Sequence, residues 1–324
     1  MSRILFLLVP GVHLLDLAGP AQVFSTAADF GHDYTLDYVA EQPVVPSAQG
    51  APLQAGTVWP VLGPDDLVLV PGWRAPSLAG GPQPGPEALA RLRAHHARGG
   101  TVASVCAGAE ALGAAGLLDG RRCTTHHDLQ EELAARYPAA MVVRDVLFTV
   151  DGRVVTSAGI ASGIDLALHL VAARHGPAAA ARVARDMVVY ARRNGHEQQY
   201  SAMLRHRAHL DDTVHRAQDT IDADYARRLP LAGLADSLGV SERTLTRLFT
   251  RATGLTPLRY QQTLRLEHAE HLIAHGATVE AAARAVGFED PRMLRRLRSR
   301  ATRTANGTAT RTGTDPDATA TAGQ

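Results

Sequence analysis

The sequence contains no lysine, so all 33 of its basic residues are arginines. It has only two cysteines, Cys106 and Cys123, and 5% aromatic residues. Two cysteines exclude a disulfide framework, and no paired Cys or Cys/His spacing of a zinc site surrounds them. A reducing cytoplasm is the expected compartment, with no cofactor or metal. Long apolar runs are also missing. The N-terminal "ILFLLVPGVHLLDLAG" breaks at Pro10 and Gly11 and then carries His13 and Asp16, which a membrane-inserting core lacks. No other segment approaches the ~18 consecutive apolar residues of a bilayer span. The expectation is a soluble chain, neither exported nor anchored.

What is present is enough for a substantial core. At 324 residues and 45% hydrophobic, the chain predicts two domains. The net charge of +1 conceals an asymmetry. Residues 1–200 carry 15 arginines against 18 carboxylates, whereas residues 201–324 carry 18 against 14. An arginine-rich C-terminal part points to a polyanion partner for that part alone.

Over residues 1–195, short apolar runs alternate with Ala-rich helical patterns. "RILFLLV", "YTLDYVA", "DLVLVPG" and "TVASVC" predict strands, and "GPAQVFSTAADF", "PEALARLRAHHA", "AGAEALGAAGLL" and "DLQEELAARY" predict helices. Such alternation predicts an α/β domain with a mostly parallel, doubly wound sheet. "MVVRDVLFTV" and "RVVTSAG" flank Asp151 and Gly152, a hairpin signal. Two more helices, "SGIDLALHLVAARHG" and "PAAAARVARDMVVYARR", close the domain. Residues 196–228 are read as a helical connector and 229–300 as an all-α domain. Residues 301–324, "ATRTANGTATRTGTDPDATATAGQ", offer no large apolar side chain and are expected to be disordered.

"LAGLADSLGVSERTLTRLF" has the residue types of a helix-turn-helix at the required offsets. Leu231, Leu234, Ala235 and Leu238 form the stripe of a short helix. Gly239 supplies the turn and Ser241 the N-cap of the second helix, whose Leu245, Leu248 and Phe249 point inward. Glu242, Arg243, Thr246, Arg247 and Thr250 then face out, suited to the major groove. A long helix follows, with Thr256 as N-cap, Pro257 at its first position and Gly276 beyond its end. "TVEAAARAVGFEDPRMLRRLRSR" then repeats the pattern with Ala283, Gly287 and Phe288 and a second Arg-rich helix from Pro291.

Two such units joined by one helix resemble the AraC/XylS family of transcription regulators. That resemblance implies reading helices at Ser241–Arg251 and about Asp290–Arg298, set on successive major grooves of double-stranded DNA. The DNA-binding set is then Ser241, Arg243, Thr244, Thr246, Arg247, Arg251, Arg292, Arg295 and Arg296. The match departs at Arg298, where the family has a core aromatic, and the closing Gly-x-Ser-Pro segment is replaced by "ATRTANGTATRT". An unpaired arginine cannot be buried, so the second helix-turn-helix is expected to be the less stable of the two.

In the first domain, the strand Thr101–Val105 ends at Cys106, and the small residues Ala107, Gly108 and Ala109 let a helix begin at once. This is a nucleophile-elbow layout. A thiol beside a helix N-terminus is expected to have a lowered pKa. With "DLAGPAQVF" and "LLDGRRCTTHH", the domain resembles the ThiJ/PfpI superfamily, the class I glutamine-amidotransferase-like fold, of flavodoxin-like type. The whole chain resembles a GlxA-family transcriptional regulator.

The superfamily includes enzymes that use the elbow cysteine as nucleophile. Where proteases of the superfamily place His after Cys, this chain has Ala107, so a Cys/His pair would need His126 or His127. Asp16, placed in the loop after the first strand, matches the acidic residue near the thiol, and an Asp–Cys pair without His is the isocyanide-hydratase-like arrangement. Gly72 brings a strand-end N–H toward the thiol, Trp73 narrows the pocket, and Cys123 is inert. The ligand or sensor set is thus Cys106, Asp16, Gly72, Ala107 and His126, with no catalytic residue assigned. The expected function is a DNA-binding regulator, a homodimer, whose first domain binds a small-molecule effector or senses oxidation. The alternative is a Cys106-dependent enzyme, isocyanide-hydratase-like or glyoxalase-like, with a degenerate tail.

Overall fold

The computed structural model describes residues 2–189, 193–196, 199, 206–207, 209–274 and 276–299. These divide into two compact units, the first ending at Gln199. The expected disordered tail, 301–324, lies outside the described residues. Among the described residues no helix is long and apolar enough to cross a membrane.

The first unit contains strands β1 (Ser2–Leu7), β2 (Tyr34–Val39), β3 (Val44–Pro46), β4 (Pro52–Gln54), β5 (Leu67–Val70), β6 (Thr101–Val105), β7 (Arg122–Cys123), β8 (Met141–Val142), β9 (Phe148–Asp151) and β10 (Val154–Ser157). Six of them form one sheet in the order β2-β1-β5-β6-β10-β9. All neighbours in it run parallel except β9, which pairs antiparallel with β10 across the expected Asp151–Gly152 turn. Alternation along each strand feeds two cores. Ile4, Phe6, Leu69, Ala103 and Val105 face one side, while Leu5, Leu7, Val68, Val70 and Val102 face the other. Helices α1 (Leu14–Asp29), α5 (Ser162–His175) and α6 (Pro177–Asp186) cover the first face. Helices α2 (Pro86–Ala97), α3 (Ala109–Ala114) and α4 (Gln130–Arg136) cover the second. Burial on both faces explains why these strands read as nearly unbroken apolar runs.

Two sequence expectations are corrected. The run 141–150 is two strands: β8 pairs with β7 in a separate parallel ladder, and only β9 joins the main sheet. The first helix begins at Leu14, not at Gly19, because Gly19–Pro20 resembles a start signal yet lies in the second turn. Asp16 therefore stands in the first turn of α1 and not in a loop.

The second unit contains α7 (Asp212–Ala223), α8 (Leu231–Ser237), α9 (Glu242–Thr253), α10 (Pro257–Ala274), α11 (Val279–Ala285) and α12 (residues 291–299). One core gathers Leu234, Leu245, Phe249, Tyr260 and Leu264 with Val214, Ala217 and Ile221 of α7. Residues 212–223, assigned by sequence to the connector, are thus structural, because their apolar stripe completes the first helix-turn-helix. A second core contains Ala269, Ala282, Ala283, Val286, Phe288 and Leu294.

Arg298 is not a buried unpaired charge. Its side chain is 37% exposed and its Nε donates to Glu270 on α10 at 2.7 Å. That removes the expected cause of a weakened second helix-turn-helix. The smaller core supplies another, since three of its six buried apolar residues are alanines. Hydrogen exchange should therefore be faster across 279–299 than across 231–253, and equal protection would contradict this.

The two helix-turn-helix motifs are tied by Arg265, which sequence reading passed over as one more helix arginine. Its Nε donates to Tyr225 O at 2.6 Å, Nη1 to Gly287 O at 2.8 Å, and Nη2 to Arg227 O at 2.8 Å. Gly287, with φ +82°, admits no Cβ because that atom would run into the Ala226 carbonyl. Arg265→Leu leaves the Gly287 and Ala226 carbonyls without this donor, while Gln261 Nε2 still reaches Tyr225 O and Arg227 O, and is expected to cost about 2–4 kcal/mol, read as a lower urea midpoint of the second unit.

Candidate functional site

The register of the parallel strands assembles the cysteine site. Val70 pairs with Ser104 and Ser157 pairs with Val105, so beyond the strand ends Gly72 and Gly159 fall on either side of Cys106. β1 lies next to β5, and the chain leaving it enters α1 and brings Asp16 to the same edge. The site therefore forms at the carboxyl ends of adjacent parallel strands, where open α/β sheets place their ligands.

Cys106 is strained and enclosed. Its φ is +54°, in the left-handed region that costs a non-glycine residue about 1–2 kcal/mol. Its carbonyl accepts from Thr125 Oγ1 at 2.7 Å, and a short 3₁₀ turn, Cys106–Gly108, leads into α3. A Cβ on Gly72 would overlap Asp16 Oδ2 and Cys106 Cβ, and one on Gly159 would overlap Cys106 Cβ and approach its Sγ to 2.9 Å. Sequence reading found Gly72, Asp16 and Ala107 but missed Gly159 and Ile160. The "SAGIASG" stretch reads as an ordinary small-residue turn, and its only signal was proximity to a strand end.

Asp16 is fully buried, and its Oδ1 accepts from Ile160 N at 2.6 Å. Ile160 itself has φ +49°. Asp16 Oδ2 makes no regular hydrogen bond. Burial lifts the carboxyl to about 6, against the opposing pull of the Ile160 N–H, the nearby Cys106 thiol and the Gly72 N–H. The thiol departs from the sequence expectation. Burial, followed by the Asp16 charge, pushes the Cys106 pKa well above its ordinary value, and the Ala107 N–H opposes this only in part. Enclosure outweighs the helix-end effect, so at neutral pH Cys106 is a thiol. Burial also raises Cys123, to about 11.

These shifts give a pH prediction. The folded Asp16 keeps its proton up to about pH 6, while the unfolded chain releases it near the ordinary value of 3.8. The native state thus binds more protons between these values, so stability is highest below about 4 from this group and is lost as pH rises through 6. The span corresponds to about 3 kcal/mol. Asp16→Asn should flatten the urea-midpoint profile between pH 4 and 7 and raise the midpoint at pH 7.5. It should also speed Cys106 alkylation by removing the opposing charge, whereas an unchanged profile would contradict the assignment.

His126 does not pair with the thiol. It stacks on His127 with ring centroids 3.9 Å apart, and the groups acting on the Cys106 thiol are the Asp16 carboxylate, the Ala107 N–H and the Asp128 charge. Burial and the neighbouring His127 hold the His126 pKa below the ordinary value, while Asp128 acts in the opposite direction. Trp73 is 2% exposed and packs in the core with Leu78 and Val9, so it is chiefly a core residue.

The two helices expected to read DNA form within two residues of their expected bounds. α9 is capped by Ser241, whose Oγ accepts from Thr244 N at 3.2 Å and also donates to Thr244 Oγ1. Leu245 and Phe249 are fully buried. Arg243, Arg247 and Arg251 are exposed along one face, while Thr244 and Thr246 are half-buried. On α12, Asp290 Oδ1 accepts from Arg292 N at 2.8 Å, Leu294 is buried, and Arg292, Arg295 and Arg296 are exposed. Arg295 pairs with Glu280 on α11 and Arg296 lies 4.0 Å from Met293 Sδ. The linking α10 has 18 residues, about 27 Å, near the ~34 Å repeat of successive grooves.

The model of the DJ-1/PfpI family matches residues 2–173, and that of a helix-turn-helix domain matches residues 234–308. The chain is 30% identical over 296 residues to the HTH-type transcriptional regulator CdhR of Pseudomonas aeruginosa, covering 88% of this chain and 84% of that regulator. It is 39% identical over 172 residues to an isonitrile hydratase of Pseudomonas putida, covering 51% of this chain and 68% of the hydratase. A solved ThiJ/PfpI family protein from Pseudomonas syringae is similar with a TM-score of 0.50 and 26% identity, covering 62% of this chain and 78% of its own. A parallel sheet with a cysteine elbow, followed by two glycine-turned helix pairs, agrees with both matches. The chain belongs to the DJ-1/PfpI family, among those members that carry an AraC-type helix-turn-helix domain and regulate transcription.

Proposed function

We propose that the Cys106–Asp16 site is the sensory half of this regulator, binding a small molecule whose occupancy alters DNA binding by the second unit. The observation that carries the reading is the enclosed pair itself. A strained cysteine and a buried carboxylate, whose Oδ2 has the thiol and the Gly72 N–H nearby but no regular hydrogen bond, stand at a sheet edge suited to ligands. The raised thiol supports ligand binding over constitutive nucleophilic catalysis, because little thiolate exists at neutral pH. It also favours ligand binding over peroxide sensing. DNA contact falls to Arg243, Arg247 and Arg251 of α9 and to Arg292, Arg295 and Arg296 of α12. Ser241 and Thr244 hold the helix start, and Thr246 lies beside them. A cytoplasmic homodimer would present four reading helices, and coupling between the two sites is reciprocal.

The isonitrile hydratase relative and the Asp–Cys pair without histidine favour one rival, a hydratase acting on isonitriles. An alkyl isonitrile is therefore the discriminating probe. Added to full-length protein on DNA from its own upstream region, it should change DNA affinity by about 5–150-fold if the site is coupled. Cys106→Ser should bind DNA normally and lose the response. Sustained formation of the N-alkylformamide, abolished in the same variant, would make the chain an enzyme. A wild-type protein that neither responds nor turns over would remove isonitriles from the ligand class.

A further inference from the structure

We propose that His126, His127 and Asp128 form a site for a divalent transition-metal ion, with zinc(II) as the reference ion. The three ligand atoms all lie within 4.8 Å of one another. His127 Nε2 stands 3.2 Å from Asp128 Oδ1, and His126 Nδ1 stands 3.6 Å from Asp128 Oδ2. Two ligands about 2.0–2.1 Å from a tetrahedral ion are separated by roughly 3.3 Å, so each histidine stands near that separation from one oxygen of Asp128, and small rotations of the three side chains would close them on one ion. The inference is separate from the sensory reading of Cys106, and its test uses no DNA.

The lone pairs point the same way. The Asp128 backbone N–H reaches His126 Nδ1 at 3.4 Å, a long contact that an ion would displace from the single lone pair of that nitrogen. With Nδ1 unprotonated, that lone pair and a carboxylate oxygen 3.6 Å away are two electron-rich atoms that a cation between them would satisfy. Consecutive side chains usually diverge, but here the 3₁₀ turn His127–Leu129 folds both rings onto one side. The preceding segment is held firmly. Thr124 N donates to Thr156 Oγ1 at 2.7 Å, Thr125 Oγ1 donates to Cys106 O, and Gln130 Nε2 donates to Thr125 O at 3.3 Å. Asp128 is 74% exposed and the rings are 28% and 29% exposed, which leaves an entry path and a fourth position open to water.

The experiment titrates full-length protein, purified without a histidine tag, with cobalt(II) and then zinc(II). Cobalt should give the visible absorption of a low-symmetry site at one equivalent, displaced by zinc, with zinc raising the Tm of the first unit. His127→Ala and Asp128→Asn should each weaken that equivalent by about 10–100-fold or more. Asp128 is exposed, so its amide variant keeps the fold, and circular dichroism verifies this for both. If wild type shows no stoichiometric uptake, or if both variants bind as well as wild type, the turn is only a histidine–carboxylate cluster and the proposal fails.

Discussion

Gly159→Ala should unfold or severely weaken the first unit, with an expected cost of about 3 kcal/mol or more. Two effects add at this one position. Its φ of +113° lies where side-chain residues are rarely found, and the new methyl carbon would occupy space held by Cys106 Cβ and Sγ. Neither neighbour can yield. Cys106 is already in a left-handed conformation, bonded through its carbonyl to Thr125 and followed directly by the turn into α3. For a unit of this size the effect corresponds to a Tm drop of roughly 6–12 °C, measurable by calorimetry. Gly72→Ala should behave similarly, because its methyl would meet both Cys106 and the Asp16 carboxylate. A double-mutant cycle separates crowding from backbone strain. Cys106→Gly combined with Gly159→Ala should recover the steric share and leave the conformational share. A fully tolerated Gly159→Ala would show that the elbow is looser than described.

The second large effect concerns DNA. Arg243→Ala with Arg247→Ala should cost about 2–6 kcal/mol of operator binding, if each side chain contributes the usual 1–3 kcal/mol. Both stand exposed one turn apart on α9, away from Leu245 and Phe249, which hold the helix to its core. Unlike Arg295, which is engaged by Glu280, they have no acidic partner among the ion pairs of the described residues. An arginine that grips a phosphate should, when replaced, reduce the salt slope of binding by about one, whereas an arginine that reads a base should relax sequence preference at one position. Fluorescence anisotropy at two salt concentrations distinguishes these, and circular dichroism confirms that the helix persists. Retained affinity in the double variant would take α9 out of the groove.

The parts of this molecule that sequence exposes are those governed by periodicity and by local stereochemistry. The alternating apolar runs of β1, β5 and β6, the Asp151–Gly152 turn, the Ser241 cap and Gly239 at φ +69° are all local signals, and each appears where expected. What stayed hidden depends on neighbours distant along the chain. Gly159 matters only because strand register brings it against Cys106, 53 positions earlier, and Arg265 only because α10 crosses the carbonyls of Tyr225, Arg227 and Gly287. Helix α7 looked like a polar connector because its few apolar residues, Val214, Ala217 and Ile221, are outnumbered by polar and charged ones. The thiol was misjudged for a related reason. A helix terminus is visible in sequence, but the depth of burial and the facing Asp16 carboxylate that outweigh it are not.

One measurement tests the central claim most directly: binding of the purified full-length protein to duplex DNA from its own upstream region, in competition with unrelated DNA. Saturable binding that survives excess competitor at physiological salt, protects two adjacent major grooves on one face, and vanishes in the Arg243/Arg247 double variant is the predicted result. Attachment that disappears with modest salt and ignores sequence would contradict it.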